Sequence, residues 1–123
     1  YLWKGIQGFS KFGSYTGNAD NDGPFIYTGF RPAFIIMKQS DRADNWVLKD
    51  NKRPAYNPNN ERAWPSRSNA FDDSANNAID MLSNGFKHRS SDNNLNDSGG
   101  EFIYMAWAES PFVNSNGVPN NAK

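Results

Sequence analysis

Helical periodicity is almost absent from this sequence. Eighteen asparagines, 10 glycines and 7 prolines are spread over its 123 residues. They interrupt nearly every window before three helical turns could close, and all three residue types are poor helix formers. Apolar side chains gather instead in short runs rich in aromatic and β-branched residues, bounded by Asn/Asp/Gly/Ser clusters. That is the pattern of many short strands. With no helices to cover a parallel sheet, about seven such strands predict an all-β fold, an antiparallel sandwich of two packed sheets.

Strands are expected at about Gln7–Tyr15, Phe25–Phe30, Ala33–Gln39, Trp46–Asp50, Ala78–Leu82, Phe86–Arg89 and Phe102–Glu109. Phe9 and Tyr15 share a parity that Phe12 breaks, which points to a bulge or bend at Gly13. Phe25, Tyr27 and Gly29 alternate with Ile26, Thr28 and Phe30. Pro32 cannot donate to a ladder and belongs at a bend or on an edge. Ala78–Arg89 reads as a hairpin about Ser83-Asn84-Gly85, where Asn-Gly supplies positive φ angles; Ile79, Met81, Phe86 and His88 are expected to divide between its two faces. Phe102–Glu109 is apolar on both faces and therefore reads as a central strand covered on both sides. Asn51–Asn77, with Pro54, Pro58 and Pro65, reads as a long surface excursion, a place where function concentrates. Residues 1–113 form one domain in this reading, and Asn114–Lys123 a polar tail.

Composition narrows the function. Thirteen Lys+Arg balance 13 Asp+Glu and the sequence pI is near 6.8, against the basic footprint of a nucleic-acid binder; no cationic stripe suggests a membrane surface. The apolar fraction is 37% and mean hydropathy −0.84, yet aromatics reach 15%. A disordered chain lacks such rings, so the expected object is a very polar domain with a core of Phe, Tyr and Trp. The absence of Cys excludes a disulfide scaffold, a Cys-ligated metal and a thiol nucleophile. The best apolar run, Ala33–Met37, is strand-sized, far below a membrane span. The start at Tyr1 without a signal-peptide pattern suggests a fragment or processed product.

Few residues offer chemistry. His88 is the single histidine, so a multi-His metal site is impossible and any Ser-His-Asp triad must use it; between Lys87 and Arg89 it reads as a solvated or partly packed strand residue. Asp50, Asp80, Glu101 and Glu109 are the strand-associated carboxylates a glycosidase pair would need, and they read as strand-end and turn groups. Asn18-Ala19-Asp20-Asn21-Asp22-Gly23 matches the first half of a calcium loop. The place of the bidentate Glu is Gly29, however, and no helix flanks the loop, so it reads as an Asn/Asp-rich connection. No metal is assigned there; Asn18, Asp20 and Asp22 are the ligands it would use. The excursion and its neighbourhood bring together Trp46, Arg53, Tyr56, Arg62, Trp64 and Arg67. Rings among polar donors suit a sugar platform or a protein interface, whereas Trp46 and Trp64 folded inward would pad the core. No motif points to a cofactor.

Five segments carry a resemblance: Phe9–Asn18, Asp22–Phe34, Asp50–Arg53, Leu82–Lys87 and Gly99–Glu109. In their order and spacing the chain resembles a domain near the C-terminus of predicted tail-fibre and other virion proteins of tailed bacteriophages, notably marine ones. The likeness covers roughly Phe9–Phe112, and Asn57–Ala75 departs most from it. The resemblance implies a concanavalin-like or jelly-roll β-sandwich with no catalytic residues to carry over. It implies a structural or adhesive, non-enzymatic domain of a tail fibre, receptor-binding protein or capsid decoration, localised to the virion and assembled in the host cytoplasm. The partners expected are further copies, as a homotrimer, and other virion subunits, with neither nucleic acid nor membrane insertion. The alternative reading is a carbohydrate-binding module contacting host glycans through exposed Trp, Tyr and Arg; a small hydrolase using His88 or a carboxylate pair is the third.

Overall fold

All seven expected strands are present in the computed structural model, which describes residues 4–52 and 56–109. The strands are β1 (Ser10–Thr16), β2 (Phe25–Tyr27), β3 (Pro32–Gln39), β4 (Val47–Asp50), β5 (Glu61–Arg62), β6 (Asp72–Asp73), β7 (Ile79–Leu82), β8 (Gly85–His88) and β9 (Glu101–Ala108). One helical turn, α1 (Asn93–Asn96), and a 3-10 turn at Ala75–Asn77 complete the list. The strands pair antiparallel as a four-stranded sheet, β1-β9-β3-β4, a three-stranded sheet, β2-β8-β7, and a short ladder of β5 with β6. The fold is all-β, and the two larger sheets enclose the core.

Rings build that core, as a chain with so few aliphatic residues requires. Tyr15 of β1, Phe102 and Tyr104 of β9, and Phe86 of β8 lie between the sheets with Ile35, Met37, Ile79 and Met81. Tyr15 stacks on Phe102 with centroids 5.0 Å apart and meets Phe86 edge-on at 6.4 Å. Each such side chain contributes about 1.5–3 kcal/mol by leaving water. The Tyr15 hydroxyl donates to the Leu95 carbonyl at 2.8 Å, tying α1 to the sheet.

Several local expectations need correction. β1 runs in register with β9 from Ser10 to Thr16 without a break at Gly13. Phe12 and Tyr15 differ in parity because they lie on opposite faces, opposite Met105 and Phe102. The bulge lies in β3 instead, between Pro32 and Phe34. In the β7–β8 hairpin Ile79 pairs with His88 and Met81 with Phe86, so these four side chains share the inner face rather than dividing. Its turn has no positive φ. Gly85 is needed for proximity: a Cβ there would stand 2.1 Å from the Ile26 carbonyl oxygen of β2.

β9 is central between β1 and β3, but among the described residues it is covered on one face only. Phe102, Tyr104 and Ala106 are buried, whereas Met105 and Trp107 are half-buried and Ile103 is 42% exposed. Phe34, Ile36 and Leu48 continue this outer apolar face across β3 and β4.

The excursion is more than surface loop. Ala63 bridges Leu48 on β4, and Asn59 bridges Ile79 on β7. β4 and β7 are the free edges of the two sheets on one side, so the excursion laces that side shut and occupies ladder groups that would otherwise invite another chain. The polar tail Asn114–Lys123 lies outside the described residues.

Candidate functional site

The same lacing builds a cleft of about 640 Å³ over the outer edge of the β7–β8 hairpin. One wall is the excursion segment Asn57, Pro58 and Asn60; a second is Ala75 and Asn76 of the 3-10 turn; Asn21 reaches in from the loop after β1. Ala78, Asp80 and Arg89 from the hairpin complete it. A cleft of this volume lies within the range of small-ligand sites.

Each wall is placed by backbone hydrogen bonding that the sequence arranges with short polar side chains. Asn57 mimics a strand: its Nδ2 donates to the Met81 carbonyl and its Oδ1 accepts from the Met81 amide, each at 2.9 Å. Ser74 caps the 3-10 turn by accepting from the Asn76 amide. Asn96, fully buried, donates from Nδ2 to Asn18 Oδ1, the Asp20 carbonyl and the Ser90 carbonyl. It thereby fixes the loop that carries Asn21.

Behind the cleft lies a charged side chain in an unusual place. Lys49 alternates onto the inner face of β4 and is 1% exposed. Its Nζ donates to the Asn59 carbonyl at 2.9 Å and also to the Asn77 carbonyl. These two carbonyls belong to the two walls, so one amine spans them from within. Burial, with the nearby Arg62 guanidinium, lowers the Lys49 pKa to about 7; desolvation disfavours the charged form. Arg62, itself buried, pairs with Asp72 at 2.9 Å and Asp92 at 3.2 Å.

The sequence-derived site residues are not gathered at the cleft. Trp64 is buried, 9% exposed, with the Arg62 guanidinium 4.2 Å from its ring centroid and that of Arg67 at 5.5 Å. It pads the core and offers no open platform, which corrects the reading of an exposed Trp64. Trp46 is half-buried. Tyr56 is 72% exposed and directly precedes the lining Asn57. Arg53 lies outside the described residues.

His88 is not solvated. It is fully buried beside Tyr15, with centroids 4.8 Å apart, and neither ring nitrogen has a hydrogen-bond partner among the described residues. Burial, then the Lys49 charge, lowers its pKa to about 3. A base so weak and so enclosed cannot serve a nucleophile at the surface.

Among the carboxylates, Asp80 alone lines the cleft, 3.6 Å from Arg89 Nε. Glu109 pairs with Arg31 at 3.2 Å and Lys52 at 3.8 Å, and Glu101 accepts from Thr16. The oxygens of the calcium-like loop are engaged internally. Asn18 Oδ1 accepts from the Asp20 amide and from Asn96, Asp20 Oδ1 accepts from the Asp22 amide, and Asp22 pairs with Lys87 at 2.8 Å. The Lys87 ammonium holds the Asp22 carboxyl below its usual range. Among the described residues no group of three or more His, Asp or Glu side chains is placed to hold a metal ion.

A smaller groove, about 320 Å³, opens on the other side of the sandwich between Gln7, Lys11 and Tyr27. Two of its hydroxyls are already used: Ser10 Oγ accepts from the Ile6 amide and Thr28 Oγ1 donates to the Phe30 carbonyl.

The cleft could be found in sequence only as scattered amides, since Asn21, Asn57, Asn60 and Asn76 are indistinguishable in one dimension from the other asparagines. A family described as a domain of unknown function (DUF7483) matches residues 1–111. No curated protein and no solved structure matches the chain.

Proposed function

We propose, for a chain that belongs to the DUF7483 family, a non-enzymatic adhesive role: a rigid sandwich that recognises a surface ligand in the cleft over β7 and β8. The observation that carries this reading is the cleft itself, a concavity lined by polar side chains with Pro58, Ala75 and Ala78 and held from behind by Lys49. A hydrolase has less support, because His88 is enclosed in the core and the cleft presents one carboxylate where a glycosidase needs two. The resemblance to bacteriophage tail-fibre and virion proteins supplies the setting, a particle that must attach to a host surface. Exposed tryptophans do not carry the contact in this proposal; the amides do.

The outer face of the four-stranded sheet supports a second element of the proposal, association into a homotrimer. Phe34, Ile36, Leu48, Met105 and Trp107, each partly exposed, and the exposed Ile103 form an apolar surface, and such faces mark interaction sites. Light scattering during size-exclusion chromatography should give the trimer mass at micromolar concentration, and a monomer contradicts this element. For the adhesive role, the labelled domain is applied to a panel of bacterial cells and their extracted surface polysaccharides. Adsorption that is lost in Asn76→Trp, which fills the cleft from an exposed position, supports the reading. Adsorption unchanged by that substitution, or absent from every surface, overturns it.

A further inference from the structure

We infer that the ligand of the cleft is an uncharged, polyhydroxyl glycan, gripped through neighbouring hydroxyls by the Asp80–Arg89 pair and the exposed amide of Asn76. The inference rests on the recognition reading above and names the chemistry of its ligand.

Charge is the first argument. Among the described residues, the ionic groups lining the cleft are one carboxylate and one guanidinium, and they lie 3.6 Å apart. Their fields cancel at a distance, so the cleft attracts neither anions nor cations. An acidic ligand would have to draw Arg89 away from Asp80 and then sit beside the abandoned carboxylate. A basic ligand faces the mirror problem. A hydroxyl group faces neither, because it donates and accepts at once: it can donate to Asp80 while a neighbouring hydroxyl accepts from Arg89.

Hydrogen-bonding capacity is the second argument. Asn57 has spent both ends of its amide on Met81. Asn60 keeps its Oδ1 shut off from solvent, with no hydrogen-bond partner among the described residues, and so out of a ligand's reach. The Asn76 side chain is exposed and makes no hydrogen bond among the described residues. A primary amide offers a donor and an acceptor in one plane, a match for two adjacent sugar hydroxyls. Pro58, Ala75 and Ala78 supply the apolar contact that the C–H face of a sugar ring needs. A peptide would place unpaired backbone amides and unlike charges against the same surface, so hydroxyls fit the inventory better.

The test is a titration of the whole chain with neutral hexose trisaccharides built on glucose, galactose and mannose, and with their uronic-acid counterparts, followed by calorimetry at low and physiological salt. A neutral trisaccharide should bind with little dependence on salt. Asp80→Asn should weaken it by about tenfold, the loss of one charge-assisted bond, and should improve binding of the uronic acid that Arg89 can then hold. Asn76→Ala, checked for an unchanged circular dichroism spectrum and melting temperature, should weaken the neutral ligand. Preferential binding of the uronic acids by the wild-type chain, with steep salt dependence, overturns the inference and leaves the recognition reading standing. So does adsorption to cells that Asn76→Trp abolishes but no trisaccharide of either class competes. Absence of adsorption to any surface overturns both.

Discussion

His88 should make this protein acid-sensitive by a calculable amount. A buried imidazole with a pKa of about 3 stays neutral in the folded chain as pH falls, whereas in the unfolded chain it titrates near 6.5. The unfolded state therefore binds more protons between those limits, and stability falls as pH drops through 6.5 toward 3. At about pH 5 the unfolded imidazole is charged and the folded one is not, and the loss is about 1.4 kcal/mol per pH unit over roughly one and a half units, about 2 kcal/mol. The sequence makes the attribution clean because this is its only histidine. Lys49 carries its proton in both states well below its folded pKa of about 7 and contributes little slope below about pH 6.5. Asp22 and Asp41, whose carboxyls are held below the usual range by Lys87 and by a Gln39 hydrogen bond respectively, add acid sensitivity only at lower pH. The assay is urea unfolding followed by tryptophan fluorescence at intervals from about pH 6.5 to about pH 5, on the wild type and on His88→Phe. Phenylalanine preserves a ring against Tyr15 and Phe86. The wild type should lose about 2 kcal/mol and the variant almost nothing. A wild-type stability that stays level across this range, or an equal slope in His88→Phe, refutes the reasoning.

Three other perturbations follow from the same structure. The amine of Lys49 is neutral in the folded chain and charged in the unfolded one between about 7 and its ordinary value near 10.5, so stability should rise with pH from about 7 to 9 by up to about 1.4 kcal/mol per unit. The rise should vanish in Lys49→Met in the same denaturation series. Gly85→Ala drives a methyl group into the Ile26 carbonyl and should cost about 3 kcal/mol or leave the chain unfolded, read by thermal melting. Trp64→Ala should cost about 3–5 kcal/mol of stability, because the ring is part of the core. A variant that melts like the wild type would return Trp64 to the list of exposed contacts.

What was legible in the sequence was whatever period two encodes. Ile26, Thr28 and Phe30 are buried while Phe25 and Tyr27 are exposed, as their alternation requires. The same rule contained more than was drawn from it. Lys49 shares parity with Val47, and His88 with Phe86, so both were marked as inward-facing by apolar neighbours two residues away. Charge and titratability argued for solvent, and the register with neighbouring strands won. The face of β9 that carries Ile103 was misjudged for a different reason. Apolar alternation on both faces states what a side chain prefers, whereas covering it requires another layer, and the described residues supply only one. The cleft was not legible, because Asn21, Asn60 and Asn76 meet only after the excursion has bridged β4 at one end and β7 at the other.

The claim that the cleft is where this domain meets its ligand is tested most directly by nuclear magnetic resonance of the isotopically labelled chain, titrated with oligosaccharides released from a surface to which it adsorbs. The side-chain amides of Asn21, Asn60 and Asn76 and the Arg89 Nε–H should shift together and saturate at one dissociation constant. Shifts confined to Tyr27 and Gly29 at the smaller groove, or to Ile103 and Trp107 on the outer sheet, would contradict it.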